Sequence, residues 1–314
     1  MATPAKPQPT SEPLRHHYHA TAGILSAKIK QPLQKEVRSQ VVRLPEDGGY
    51  EFRHVEPLRL EGILSYKSGY AQVAGFAGPD GFTTLTTSVV EGLNILDVIT
   101  ADRVVGQIHT NYPVHQEGQD YKEAQVPSVS FLGTRFDNLR INGQQVEVVR
   151  CLDILGPKPA GDRSYLEDEV VLWKISEQAK GLPGWARDHW KSAAIQDISQ
   201  PGETSAHCSL VSKLRGLDDI SFGHVIDLPH FGKIFLAELR VTRKKGKHDV
   251  LKFDASTSDA STSDSPQPDI YSFDLTMIKV DLDGAADGDV DVSPCDSNGS
   301  GGKGSPNPPP GPPQ

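Results

Sequence analysis

Apolar and polar residues alternate at every second position through most of this chain, the period of a strand with one buried face. The densest such run is 93–148: LNILDVITADRVVGQIHTNYP and then, past a polar loop at 113–127, VPSVSFLGTRFDNLRINGQQVEV. Its first half reads as one long bent strand or two shorter ones. The broken phase of Ile99, Ala101, Val104, Gly106 and Ile108 predicts a bulge near Asp102. Asn142-Gly143 is the dipeptide of a two-residue hairpin turn. Upstream, strands are expected around 18–30, 37–44, 50–55 and 70–76, then in the Thr-rich run 82–89, where β-branched residues suit a pleated surface. After a polar linker at 199–205 they return at 208–214 and 223–242, the latter a hairpin around Pro229-His-Phe-Gly232, with a last strand at 271–281. Gly23-Ile-Leu-Ser-Ala-Lys28 recurs as Gly62-Ile-Leu-Ser-Tyr-Lys67, which predicts two strands in similar slots.

Between 160 and 198 the period lengthens to that of a helix. Ser164, followed by Glu167, Asp168 and Glu169, offers an N-cap with acids in the first turn, where they complement the helix dipole. Leu166, Val170 and Trp173 then fall on one helical face, Gly181-Leu-Pro-Gly184 breaks the helix, and a second short helix holds Trp185, His189 and Trp190. All three tryptophans of the chain sit in this insert. Aromatic residues at helical spacing usually belong to a core, which makes the pair a cap on one open end of the β domain. The functional reading of Trp173, Trp185 and Trp190 is a partner- or ligand-binding lid.

The two ends differ from the middle. Residues 1–13 are rich in Pro, Thr and Ser, and Asp254-Ala-Ser-Thr-Ser repeats directly as Asp259-Ala-Ser-Thr-Ser, so a disordered leader and a low-complexity loop at 254–268 are expected. The stretch 283–314 is acidic, then Pro- and Gly-rich, and reads as a disordered tail. The fold expected is mainly β: one domain over 14–282, an antiparallel β-sandwich or flattened barrel with a small two-helix insert at 160–198 and disordered N- and C-terminal tails. From Leu251 onward eleven aspartates face three lysines, which accounts for −8 of the net charge of −9 and leaves the first 250 residues at −1. A near-neutral body with an acidic end argues against a nucleic-acid surface. The small basic cluster Arg243-Lys-Lys-Gly-Lys247 reads as a solvated turn. The start lacks the apolar core of a secretory signal, and no run is long and apolar enough to cross a bilayer. That sets a cytoplasmic default without membrane insertion; the alternative is an extracellular or cell-surface site reached by a signal-independent route.

Candidate chemistry is sparse. Cys151, Cys208 and Cys295 are too few and too far apart for a disulfide framework and are expected as buried or unreactive thiols. His16, His17 and His19 read as a solvated lead-in to the first strand. For metal, His109 and His115 flank the polar loop with Glu117 close by, but a six-residue step fits neither one helix face nor adjacent strand positions; His224 and His230 straddle the later hairpin and lack a third ligand. The aspartates of DLDGAADGDVDV miss the glycine and closing Glu positions of a calcium loop. No G-x-S-x-G, H-E-x-x-H or P-loop is present, and no cofactor is expected.

Within the densest run, Thr100, Ala101, Asp102 and Val104, followed by Phe136, Leu139, Ile141, Gly143 and Val146, form a pattern that resembles the core of the bacterial choice-of-anchor P proteins. The resemblance covers about a sixth of the chain. It implies a β-rich, surface-associated module with no catalytic residues to carry over; this chain departs from it in lacking a visible signal or anchor. The function expected is a non-enzymatic interaction or structural module that binds a protein partner or itself. Two other classes stay open: a β-barrel that binds a small apolar ligand under the Trp lid, and a metal-dependent enzyme using the histidines above.

Overall fold

A strand that buries one face needs a second layer to bury it against, and in the computed structural model that layer is a second sheet. The structure describes residues 14–38, 41–113, 126–160, 163–197, 203–244 and 269–303. Among these, sheet A runs β18 (Ser221–Phe222), β19 (Val225–Leu228), β20 (Gly232–Lys244), β21 (Ile270–Asp283), β22 (Asp287–Lys303), β1 (Leu14–Gly23) and β4 (Val41–Arg43). Strand β16 (Glu203–Ser209) joins it on β20, and β2 (Leu25–Gln31) lies between β22 and β3 (Lys35–Arg38). Sheet B runs β14 (Gln144–Gln145), β13 (Arg140–Ile141), β10 (Ile99–Tyr112), β9 (Gly81–Ile95), β7 (Leu64–Tyr66) and β6 (Leu58–Leu60). Strands β11 (Ser128–Ser130) and β12 (Arg135–Asp137) pair with β10, while β8 (Ser68–Gly78) joins β9 to β5 (Gly49–Val55). A separate ribbon joins β15 (Glu147–Arg150) to β17 (Val211–Arg215), and the helices are α1 (Glu169–Lys180) and α2 (Gly184–Asp197). Every pairing is antiparallel, and the sheets face each other as a sandwich in which neither closes into a barrel.

The expected acidic tail is the largest correction. Residues 287–303 form β22, hydrogen-bonded to β21 along one edge and to β1 and β2 along the other. The domain therefore reaches at least Lys303 rather than ending at 282. Asp287, Asp289 and Asp291 point out of the sandwich while Val290 and Val292 point in. The remaining tail, the leader 1–13, the loop 254–268 and His115 lie outside the described residues.

The middle of the sandwich is held by hydroxyls as much as by hydrocarbon. Ser88 Oγ on β9 donates to the Gly23 carbonyl on β1 (2.6 Å), and Ser293 Oγ on β22 donates back to the Ser88 carbonyl (3.0 Å). Thr86 Oγ1 donates to the Asp296 carbonyl (3.1 Å), and Thr110 and Ser297 share a bond of 3.1 Å between their hydroxyls. Side chains this short let the sheets approach closely here. A Cβ on Gly106 would stand 3.0 Å from Met277 and 3.1 Å from the Ser293 carbonyl. Larger aliphatics fill the rest of the layer, including Ile24, Leu25, Leu93, Ile95 and Val104.

The repeated Gly-Ile-Leu-Ser segment makes the same joint in each sheet. Ile24 O accepts from Ser293 N (2.7 Å) beside the Leu25–Val292 pair, and Ile63 O accepts from Leu96 N (2.8 Å) beside the Leu64–Ile95 pair. Ser293 and Leu96 both have left-handed backbones, φ 57° and 53°. The bulge expected near Asp102 takes another form. Pairing stays in step from Ala101–Leu93 to Arg103–Glu91, and opposite Asp102 stands Gly92 (φ 63°), so both strands change face together with no extra residue in either. Asn142 and Gly143 (φ 50° and 78°) do form the two-residue turn, and Pro229–Phe231 the later hairpin.

Candidate functional site

The cap of α1 is Asp168, not Ser164. Asp168 Oδ1 accepts from the N–H groups of Val170 (2.8 Å) and Val171 (3.2 Å). Ser164 makes the preceding turn, donating its N–H to Glu167 Oε2 (3.0 Å), and Glu167 in turn holds Arg243 at 2.5 Å. Leu166 thus falls before the helix, and the face that meets the sheet is not the predicted one. Val171 is buried, Ile175 packs on the core, and the Gln178 amide clips the end of β16 by donating to Ser209 O (2.8 Å) and accepting from Ser209 N (3.0 Å). Val170 and Trp173, three residues apart, point to solvent at 62% and 60% exposure.

Helix α2 is the part of the insert that behaves as core. Leu182, Ala186 and Trp190 pack with Val225 and Phe235 in a cluster of their own on the outer face of sheet A. Trp190, 7% exposed, stacks on His224 (5.0 Å between centroids, 16°) and donates Nε1–H to Glu238 Oε1 at 2.6 Å. His189 stacks on Phe235 (4.7 Å), with its Nε2 3.3 Å from Lys279 Nζ and 3.9 Å from Glu238 Oε2. Trp185 is half-buried, edge-on to Phe235 at 5.9 Å, with Lys233 Nζ 4.9 Å above its ring. The three tryptophans therefore divide: Trp185 and Trp190 share the α2 cluster, and Trp173 stands apart on α1.

Burial sets the electrostatics under α2. It raises Glu238 to about 7, against the opposing pull of the Trp190 hydrogen bond and the nearby Lys279 ammonium. Burial raises Asp291 as well, lowers His189, and drives His224 down to about 3. A carboxyl poised near neutrality beside a neutral imidazole has the make-up of an acid–base pair. Here both groups are spent on seating a helix: each touches α2 or belongs to it.

Among the described residues the histidines considered for metal do not assemble. His109 sits half-buried within β10, opposite Leu85 and Ser130. His224 and His230 lie beyond opposite ends of β19, so the strand itself holds them roughly 13 Å or more apart. Among the described residues no group of three His, Cys, Asp or Glu is placed to hold a metal ion. The aspartates of DLDGAADGDVDV form the β21–β22 hairpin. Cys208 and Cys295 are buried and Cys151 half-buried, all as free thiols, and burial raises the pKa of each.

One buried group escaped the sequence reading. His16 is inside the sandwich, stacked on Phe82 (4.6 Å, 7°) and flanked by Tyr18 (4.7 Å) and Tyr112 (5.0 Å), and burial lowers its pKa to about 4. His17 and His19 alternate outward and line a shallow cleft of ≈ 520 Å³ with Glu46, Glu203, Lys244 and Asn298. A second cleft of ≈ 630 Å³ gathers Arg135, Arg150 and Arg215. Two of these are matched by carboxylates, Arg135 by Asp137 (3.3 Å) and Arg215 by Glu147 (2.9 Å), while Arg150 donates to the Thr134 carbonyl (2.8 Å).

A family model described as "Domain of unknown function (DUF8256)" matches residues 16–242. No curated protein and no solved structure matches the chain. The match ends inside β20, so the central strands β21 and β22 of sheet A lie beyond it.

Proposed function

The chain belongs to the DUF8256 family, and we propose that it is a non-enzymatic interaction module whose protein partner seats on the outer face of α1. The observation that carries this reading is Trp173, 60% exposed beside Val170 on a helix whose opposite face is fixed by Val171 and by the Gln178–Ser209 bonds. A helix already packed on the sheet needs no backbone folding on binding, and tryptophan is among the residues enriched at the energetic centres of interfaces. Glu177 and Lys180, on the same side and joined at 2.5 Å, supply a polar margin. Free thiols at Cys151, Cys208 and Cys295 fit a reducing, cytoplasmic setting. The surface association implied by the choice-of-anchor P resemblance is the alternative setting for the same module.

The test is site-specific photo-crosslinking in cells. A photoreactive phenylalanine at Trp173 should give a discrete protein adduct, and the same group at exposed Lys213 on β17 should not. Absence of an adduct at position 173, or equal labelling from both positions, would remove α1 as the working surface.

A further inference from the structure

The outer face of sheet A carries a second feature, one that takes no described residue from α1. Strand register sets Ser205, Thr242, Ser272, Asn298 and His19 side by side across β16, β20, β21, β22 and β1. Neighbouring strands lie about 4.8 Å apart, so the row runs about 19 Å across the sheet. Its members are short and polar as far as His19. Longer side chains flank it. Glu203, Lys244 and Ile270 stand in the row toward the strand ends, and Arg240, Asp274 and Asp296 in the row on the other side. A short row between two tall ones is a trough, and the cleft of ≈ 520 Å³ lies over it from Thr242 to His19. That is the size of a small-molecule site. Thr242 is only 6% exposed, yet among the described residues its hydroxyl has no hydrogen-bond partner, nor has that of Ser205 directly opposite. A buried hydroxyl left unpaired costs stability that a valine of the same shape would not.

We propose that this trough binds a neutral polyhydroxylated ligand, a sugar, whose hydroxyls pair with Thr242 and Asn298. The ligand class follows from the lining. The charges of the walls are engaged with one another: Glu203 faces Arg240 at 3.7 Å and His17 faces Glu46 at 3.8 Å, while Thr21 donates to Asp296. Lys244 stands opposite Glu203 in register. Walls matched in this way hold their shape and leave little net charge to select an ion. Among the described lining residues Ile270 is the one aliphatic side chain, too little surface for an apolar ligand. On the floor, Ser272 leans toward Asp274 (3.3 Å), and the Thr242 hydroxyl is left over. A hydroxyl and a carboxamide each donate and accept, as every hydroxyl of a sugar does, so the two can pair in either sense.

The test is saturation-transfer NMR of the full chain with glucose, galactose, mannose, xylose and N-acetylglucosamine at millimolar concentration, followed by titration of those that bind. At least one is expected to bind. Thr242→Val and Asn298→Ala, each alone, are expected to weaken that binding about tenfold or more, and Thr242→Ser to keep it. Thermal melts separate this role from a structural one. With no internal partner to lose, Thr242→Val should melt no lower than the wild type. A lower melting temperature would show that the hydroxyl serves the fold, and would overturn the proposal. So would silence from every sugar, or binding indifferent to both substitutions. Inorganic phosphate bound in preference to the sugars would mark an anion site instead and overturn it equally.

Discussion

Trp190 donates its indole N–H to Glu238 at 2.6 Å, from a helix onto the outer face of a sheet, and that bond lies where burial has already made the carboxylate costly. Without the indole, Glu238 would keep the distant His189 contact at 3.9 Å and the nearby Lys279 ammonium, but no hydrogen bond from α2. The bond therefore joins the seating of α2 to the protonation of one side chain.

Glu238 is raised to about 7 in the folded chain and returns to an ordinary carboxylate value on unfolding. The folded state then holds the extra proton between about 4.5 and 7, so the stability associated with this group is fully present below that window and is lost as pH rises through 7. Glu238→Gln keeps an acceptor for Trp190 and removes the charge. It should raise stability at pH 8 by about 1–3 kcal/mol, toward the lower end because the side chain keeps 13% exposure, and change little at pH 4.5. Urea unfolding at both pH values checks this, and an equal effect at the two would refute it.

His224 has the opposite sign. Its folded pKa, near 3, lies below the unfolded value, so the stability it supplies is present above about 6.5 and drains away as pH falls toward 3. His224→Phe preserves the stack on Trp190 and leaves nothing to protonate. At pH 5 the variant should be more stable than the wild type by up to about 2 kcal/mol, with little difference at pH 8. An acid-unfolding midpoint that does not move would show that His224 is not a titrating contributor.

Trp190→Ala and Trp173→Ala should separate widely. Emptying the α2 cluster costs about 3–5 kcal/mol, whereas removing a solvent-facing ring costs within about 0.5 kcal/mol. Fluorescence should follow: loss of Trp173 removes the emission component most open to acrylamide, and loss of Trp190 removes a protected one. Thermal melts and quenching on the same samples decide both points.

A chain stopped at Lys244, just past the end of the family match, lacks β21 and β22. It leaves β20 and β1 as unjoined edges and exposes the sandwich face of sheet B. Such a chain should show no cooperative melt, while one ending at Lys303 should melt as the full chain does; circular dichroism on heating distinguishes them.

What the sequence announced was local chemistry. The Asn142-Gly143 turn, the Pro229 hairpin, the Gly181–Gly184 break and the Thr-rich strand each follow from neighbours in the chain. Strand β22 went unread because its signals conflict. Asp287, Asp289 and Asp291 alternate with Val290 and Val292 at strand period, but they sit in a stretch whose composition says tail. Beyond them the inward residues are Ser293, Cys295, Ser297 and Gly299, and a core of hydroxyls matched to Thr86, Ser88 and Thr110 on the other sheet does not look apolar from one strand alone. The α1 face was misjudged for a related reason. Its sheet-facing side uses Gln178 as an anchor, so the apolar stripe of Val170 and Trp173 was left for the surface.

Strand β1 pairs Leu14 with Lys303 and Ala22 with Cys295. The earliest strand among the described residues is thus completed by the latest. During synthesis β1 and β2 must wait with an open edge and half-covered apolar faces while the rest of the sandwich forms, and contacts this remote in sequence slow the closing step. The vulnerable species is the chain in which β1 and β2 are made and β22 is not, and its yield in a cell should depend on what shields that edge until residue 303 arrives.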